Sequence, residues 1–185
     1  MMPEITSALE QLFSPKIILK NASGRARSLE GLNDENIFIK GSSDAPLEVK
    51  MNDAIYMADI SGGQKTGLFF DQRENHAFTA KLANGGSIID VFSHVGGFSL
   101  AALSAGATSA TAVDSSQPAL DLAIKGADAS GFSKSFSIRK GDAFEVMAQL
   151  FEEGERYQVV VCDPPAFAPS KPALERGLRA YEKAA

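Results

Sequence analysis

The 185 residues include 18 Lys and Arg against 23 Asp and Glu, with 44% hydrophobic and 22% charged residues, which is globular rather than disordered or fibrous. The formal charge of −5 argues against a broad nucleic-acid-binding face, though it leaves room for a local basic patch. A single cysteine, Cys162, rules out an internal disulfide and, with only two histidines, leaves no ground for a metal site. No apolar run approaches the ~18 residues of a membrane span, and the N-terminus lacks a signal-peptide core, so a soluble cytoplasmic protein is expected.

Residues 3–13 (PEITSALEQLF) place Ile5, Ala8, Leu9 and Leu12 on one helical face. KIILK, NIFIK, LEVKM and AIYMADI then read as short strands, with turn chemistry at Ser23-Gly24 and at Gly41-Ser42-Ser43-Asp44. The texture changes near Ala83 to Gly86. Beyond it, SIIDVF (87–92), SATAVD (109–114), SFSIR (135–139) and YQVVVCD (157–163) are strand-like, separated by helices starting near Gly97, Gln117 and Ala143. The second of these helices has Leu120, Ala123, Ile124 and Ala127 on one face, Pro118 in its first turn and Gly131 after its end. This alternation predicts an α/β protein with a Rossmann-like parallel sheet, covered by helices on both sides. The domains expected are a small α+β cap with its linker over 1–85 and the sheet domain over 86–185.

The sheet domain reads as incomplete. The residues after Gly85 supply four strands, whereas a doubly wound domain has roughly five to seven. The chain also stops at AYEKAA, inside a helical pattern, so a truncation is expected. The exposed edge left by the missing strands is open to pairing with another chain, which makes a homo-oligomer one expectation.

Four strand ends carry chemistry. The loop SHVGGF after the first offers two glycines, which permit close backbone approach, ahead of a helix whose first N–H groups face an anion. Its spacing is not G-x-G-x-x-G, so a pyrophosphate is disfavoured and a smaller anion such as an amino-acid carboxylate fits. A tight turn with close helix packing explains the same glycines. Asp114 ends the second strand, placed to accept from ribose hydroxyls. After the third strand, Asp142 either accepts from an adenine amino group, with Ala143 and Phe144 beside the ring, or caps the following helix. After the fourth comes DPPAFAPSK, the most specific signal. Two prolines stiffen the loop, Asp163 and the Pro164 carbonyl can grip a polar edge, and Phe167 can stack on a planar ring. Cys162 lies inside the apolar run, where packing rather than nucleophilic chemistry is expected.

Asp90 to Phe98, Asp114, Asp142 and Asp163-Pro164-Pro165 follow the order and spacing of a class I S-adenosylmethionine-dependent methyltransferase. GQKTGLFFDQRENH (63–76) and DPPAFAPSKPALERGLRAYEK (163–183) narrow the match: roughly residues 14–185 resemble the bacterial 23S ribosomal RNA cytosine-C5 methyltransferases. The resemblance implies that Phe92, Ser93, Gly96, Gly97 and Phe98 surround the methionine part of S-adenosyl-L-methionine. It implies that Asp114, with Ser115, holds the ribose and that Asp142 and Ala143 border the adenine. Lys65 to Arg73 would close over the cofactor. Asp163, Pro164 and Phe167 would face the acceptor base, with Asp163 also bordering the cofactor. Ribosomal RNA would be the partner. The pattern departs at His94-Val95 and at Ala127-Asp128-Ala129. The resemblance further implies an RNA-binding PUA domain ahead of this chain and a nucleophilic cysteine beyond it, so the chain alone is expected to be inactive. Methylation of an exocyclic amine is the alternative, ahead of a nicotinamide-dependent oxidoreductase or a non-enzymatic binding module.

Overall fold

The computed structural model describes residues 2–22, 30–31, 36–60, 67–168 and 170–184. The chain divides into two compact units, Met1–Leu47 with Asp59–Gly67, and Glu48–Ala58 with Leu68–Ala185. In the first, α1 (Met2–Phe13) accompanies β1 (Ile18–Lys20) and β2 (Ile37–Lys40), which pair antiparallel. The helical periodicity of α1 is realised, yet none of its residues is buried, and Leu12 and Phe13 are fully at the surface. The turn read at Ser23-Gly24 lies outside the described residues.

The second unit, from Glu48 onward, takes in the hairpin of β3 (Leu47–Met51) and β4 (Ala54–Ala58). Its two linking residues, Asn52 and Asp53, have φ of 49° and 57°. Two left-handed residues in a two-residue link match the twist of antiparallel strands, and Asn and Asp tolerate that conformation best after glycine. Ala54, Tyr56 and Ala58 share one face of β4 and are all buried.

After α2 (Arg73–Leu82), the chain alternates through β5 (Ser87–Val91), α3 (Gly97–Ser104), β6 (Ser109–Asp114), α4 (Gln117–Ala129), β7 (Phe136–Lys140), α5 (Ala143–Glu152) and β8 (Val159–Cys162), and ends on α6 (Leu174–Ala184). The strands form one parallel sheet in the order β7-β6-β5-β8, the α/β architecture expected of the alternation. Period-two alternation divides β5. Ile88 packs with Ala102 and Leu103 of α3, while Ile89 and Val91 pack with Ala143, Val146 and Leu150 of α5 on the opposite face.

Two features depart from the sequence reading. The helix α2 was not marked there, because its apolar residues are few and two of them, Phe78 and Leu82, stay exposed. The compact units also do not divide at the texture change near residue 85, since the hairpin and α2 both belong with the sheet. Helix starts follow their caps: the Ser116 hydroxyl accepts from the Ala119 N–H and the Asp142 carboxylate from those of Phe144 and Glu145.

Gly126 of α4 is where the helix lies closest to the hairpin. A Cβ there would stand 2.9 Å from the Ile55 carbonyl oxygen and 2.9 Å from Leu100 Cδ1. Overpacking costs about 1–3 kcal/mol and exceeds the ~1 kcal/mol that alanine gains over glycine in a helix. Gly126→Ala is therefore expected to lower stability by up to about 2 kcal/mol, read as a lower urea midpoint at unchanged slope.

Candidate active site

The residues singled out from the sequence gather at the carboxyl ends of β5, β6, β7 and β8, where open parallel sheets bind ligands. The chain leaves β5 through Phe92 (φ 65°) and His94 (φ 51°), and Gly96 (φ 78°) then starts α3. Left-handed non-glycine residues are costly and persist only where the surroundings hold them. Here the Ser93 N–H donates to the Val113 carbonyl, the His94 N–H to Asp114 Oδ2 at 2.8 Å, and the Gly96 N–H to the Ser93 carbonyl.

Gly96, as N-cap of α3, has no side chain with which to accept from the first turn. Asp90, 1% exposed on β5, does so instead: its Oδ2 accepts from the Ser99 N–H and the Ser99 hydroxyl, both at 3.1 Å. That is the N–H a capping side chain would take. Burial pushes the Asp90 carboxyl up to about 6, against the lowering effect of these hydrogen bonds, and the nearby Asp163 charge adds to the rise.

Neither glycine's missing side chain faces open space. A Cβ on Gly96 would meet Ala123 at 3.3 Å, and one on Gly97 would stand 2.7 Å from both Cε1 and Nε2 of His76. His76 is 6% exposed, its ring 4.5 Å from that of Phe98, and its Nδ1 has no hydrogen-bond partner among the described residues. Burial pushes this imidazole down to about 4, although Asp71 pulls the other way. Beside it Tyr56, wholly buried, donates its hydroxyl to the Gly97 carbonyl at 3.1 Å.

Asp114 accepts one backbone N–H on each carboxylate oxygen, from His94 and from Ser116. A carboxylate has about four acceptor positions, so capacity remains for two hydroxyls. Ser115 beside it is exposed. Asp142 is exposed and caps α5, and the Ala143 side chain sits in the apolar cluster under that helix. Phe144 points toward the loops, its ring 6.3 Å from that of Phe92 and 6.0 Å from that of Phe167.

The acceptor loop follows β8. The Asp163 N–H reaches the Val91 carbonyl at 3.4 Å, its side chain is exposed, and Pro164 and Phe167 are half-buried. Phe167 lies 6.0 Å from Phe92, so loop and glycine corner share an aromatic contact. Helix α6 steadies the arrangement: the Tyr181 hydroxyl accepts from the Phe167 N–H at 3.1 Å, and Lys183 Nζ stands 4.7 Å over the Phe144 ring. Cys162 is half-buried, and burial together with Asp163 raises its thiol pKa. Lys65 and Thr66 lie outside the described residues, while Phe69 packs edge-on against His94 at 5.5 Å. Sequence reasoning missed His76, Tyr56 and Tyr181 as site residues. The one available signal was the buried parity of Tyr56 in its strand.

The profile of the S-adenosylmethionine-dependent methyltransferase family matches residues 8–181. Curated relatives named Ribosomal RNA large subunit methyltransferase I are 34% identical over 180 residues in Aeromonas salmonicida and 34% identical over 183 residues in Vibrio cholerae. Each alignment covers 96% of this chain and 46% of the relative. Among solved structures, the SMU.776 protein complexed with SAH superposes with a TM-score of 0.74 at 22% identity, over 92% of this chain and 43% of that one. The SAM-dependent methyltransferase from Agrobacterium tumefaciens gives 0.69 at 18% identity, over 88% and 50%. The structural likenesses speak for the fold, and the sequence match for the family. The chain belongs to the S-adenosylmethionine-dependent methyltransferases and spans about half the length of the curated relatives it matches. This sets aside the nicotinamide-dependent oxidoreductase.

The residues present fit the family's cofactor, S-adenosylmethionine. Besides the spare acceptors of Asp114, the Ser93 hydroxyl in the glycine corner is buried with no partner among the described residues. A buried hydroxyl left unpaired is costly, and a polar ligand would satisfy it.

The two perturbed buried groups predict opposing pH dependences. Asp90, raised from 3.8 to about 6, contributes stability that is full below pH 3.8 and lost as pH rises through 6, worth about 3 kcal/mol. His76, lowered from 6.5 to about 4, contributes stability that is full above pH 6.5 and lost as pH falls toward 4. Between pH 4 and 6 the slopes oppose, because folding moves a proton from one group to the other. In thermal melts over that range, Asp90→Asn should lose stability on acidification relative to wild type, and His76→Phe should gain it. Parallel curves for all three proteins would contradict this.

Proposed function

We propose that the protein containing this chain transfers a methyl group from S-adenosylmethionine to carbon 5 of a cytosine in large-subunit ribosomal RNA, in the cytoplasm. The observation that carries the reading is the D-P-P-A-F loop at the end of β8, whose Phe167 meets Phe92 of the glycine corner, setting an acceptor loop beside a cofactor loop. The name carried by the curated relatives supplies the RNA.

In this reading Ser93, Gly96, Gly97 and Phe98 border the amino-acid end of the cofactor, Asp114 and Ser115 the ribose, and Asp142, Ala143 and Phe144 the adenine. Asp142 contributes through the turn it caps, since both first-turn N–H groups rest on its carboxylate. When bound, the cofactor supplies an electrophilic methyl on its sulfonium sulfur. Asp163 and the Pro164 carbonyl accept hydrogen bonds from the base edge, while Phe167 stacks on the ring and excludes water. Carbon 5 becomes nucleophilic only after a thiolate adds at carbon 6. The raised pKa of Cys162 argues against its forming one, so the reading requires a thiolate from another cysteine.

That same observation favours the exocyclic amine as the second reading, because an amine held by Asp163 and the Pro164 carbonyl needs no thiolate. The open side of β8 bears on the wider protein. A groove of about 430 Å³ runs along it, lined by Phe78, Leu82, Phe98 and Val159 to Asp163, and Val160 is 62% exposed. Parallel strands are ordinarily covered on both faces, and this strand order is the first part of a doubly wound sheet. Both facts support a sheet that continues past β8 in the whole protein.

The test is transfer of labelled methyl groups to 23S ribosomal RNA, with the product nucleoside identified by mass spectrometry. Labelled 5-methylcytidine is expected; an N-methylated base would move the assignment to the amine, and no labelled nucleoside would overturn both. Within the active protein, Asp163→Ala should lower kcat/KM about 10- to 100-fold, the loss of one charge-assisted hydrogen bond.

A further inference from the structure

We propose that Gly97 is a glycine because of His76 and not because of the cofactor, and that His76 and Tyr56 are positioning residues that set the cofactor loop from behind. The inference rests on reading the glycine corner as the cofactor loop and names what holds that loop in shape.

Three consecutive residues of α3 are each gripped by a different element. The Gly97 carbonyl accepts from the Tyr56 hydroxyl of β4, the Phe98 ring meets the His76 ring of α2, and Ser99 is held by Asp90 of β5. His76 and Tyr56 stand with nearly parallel rings, 6.5 Å apart and 18° between planes. The side of Gly97 on which a side chain would grow is thus filled by the His76 imidazole, whose Cε1 and Nε2 lie 2.7 Å from the Cβ position. Real Cβ atoms do not approach so closely, and the ring is 6% exposed, so a side chain at Gly97 requires a buried imidazole to shift within a packed interior. Among the described residues the imidazole also keeps a buried Nδ1 without a partner, a cost that a purely apolar wedge would avoid. Burial holds it neutral at physiological pH, so the back wall brings no positive charge toward a sulfonium ligand.

A glycine required by a ligand and a glycine required by a neighbour respond differently to a second substitution. Binding of S-adenosylhomocysteine to the wild-type chain, measured by titration calorimetry, comes first. Absence of heat would refute the cofactor reading, and this inference with it. Given binding, Gly97→Ala should weaken affinity by about tenfold or more through displacement of the loop. Adding His76→Ala opens the slot for the new methyl, and the double variant should return to within about threefold of His76→Ala alone. Should Gly97→Ala fail to fold, recovery of a cooperative melt in the double variant supports the same conclusion. A double variant as weak, or as unfolded, as Gly97→Ala would overturn the proposal while leaving the cofactor reading intact. Tyr56→Phe, which removes only the hydroxyl, should raise Kd about fivefold and speed hydrogen exchange at the Ser99 and Leu100 amides. Faster exchange with unchanged affinity would show Tyr56 to be structural only.

Discussion

The carboxylate of Asp90 sits at the one point through which strand, loop and helix must all pass. It leaves β5 toward the α3 face, is sealed from water, and accepts from both the backbone and the hydroxyl of Ser99. Gly96 can start α3 without a side chain because this acid, six residues earlier, performs the capping. The left-handed turn at Phe92 and His94 is then held between two fixed ends, with Asp114 accepting from the His94 N–H. A buried acid is an expensive way to cap a helix. Its return is geometric: the corner's backbone is set by groups outside it, leaving the Ser93 hydroxyl without a protein partner among the described residues.

The aromatic rings show the same division between what is fixed and what is available. Phe144 arises from α5 on the sheet and Phe92 from the corner directly after β5, whereas Phe167 belongs to a loop whose anchor is Tyr181 on a peripheral helix. Helix α6 lies directly on that loop, and Gly177 makes this close approach feasible, since a Cβ would fall 2.6 Å from that of Ala168. Leu174, Leu178 and Tyr181 on α6 remain exposed, so the helix has little to hold it other than the acceptor loop.

Much of the sheet domain is legible in the chain. The strands β5 to β8 are short apolar runs, and Ser116, Pro118 and Asp142 mark helix starts by local chemistry that needs no tertiary context. What escaped reading depends on distant partners. The helix over 73–82 has too weak an apolar face to announce itself, and His76 becomes notable only once Gly97 is found against it, 21 positions later. The periodic face of α1 shows the opposite failure, because a clear pattern says nothing of whether a covering surface is present. At the site, the strand-end acids are legible by position, while the glycine pair stays open between a ligand and close helix packing. Ligand approach and neighbour packing leave the same residue in the sequence.

The position of β5 between β6 and β8 also has a consequence in time. Its partner on one side follows closely, but Ile88 pairs on the other with Val159, about 70 positions further along. A ribosome adding roughly 5–20 residues per second needs roughly 4–14 seconds to cover that distance. For that interval the apolar run Ile88, Ile89 and Val91 has one ladder of N–H and C=O groups open, in a crowded environment where other nascent strands are in the same state. The spatial order of the strands thus imposes a waiting period on the segment that carries Asp90, and the cell's folding helpers have that long in which to guard it.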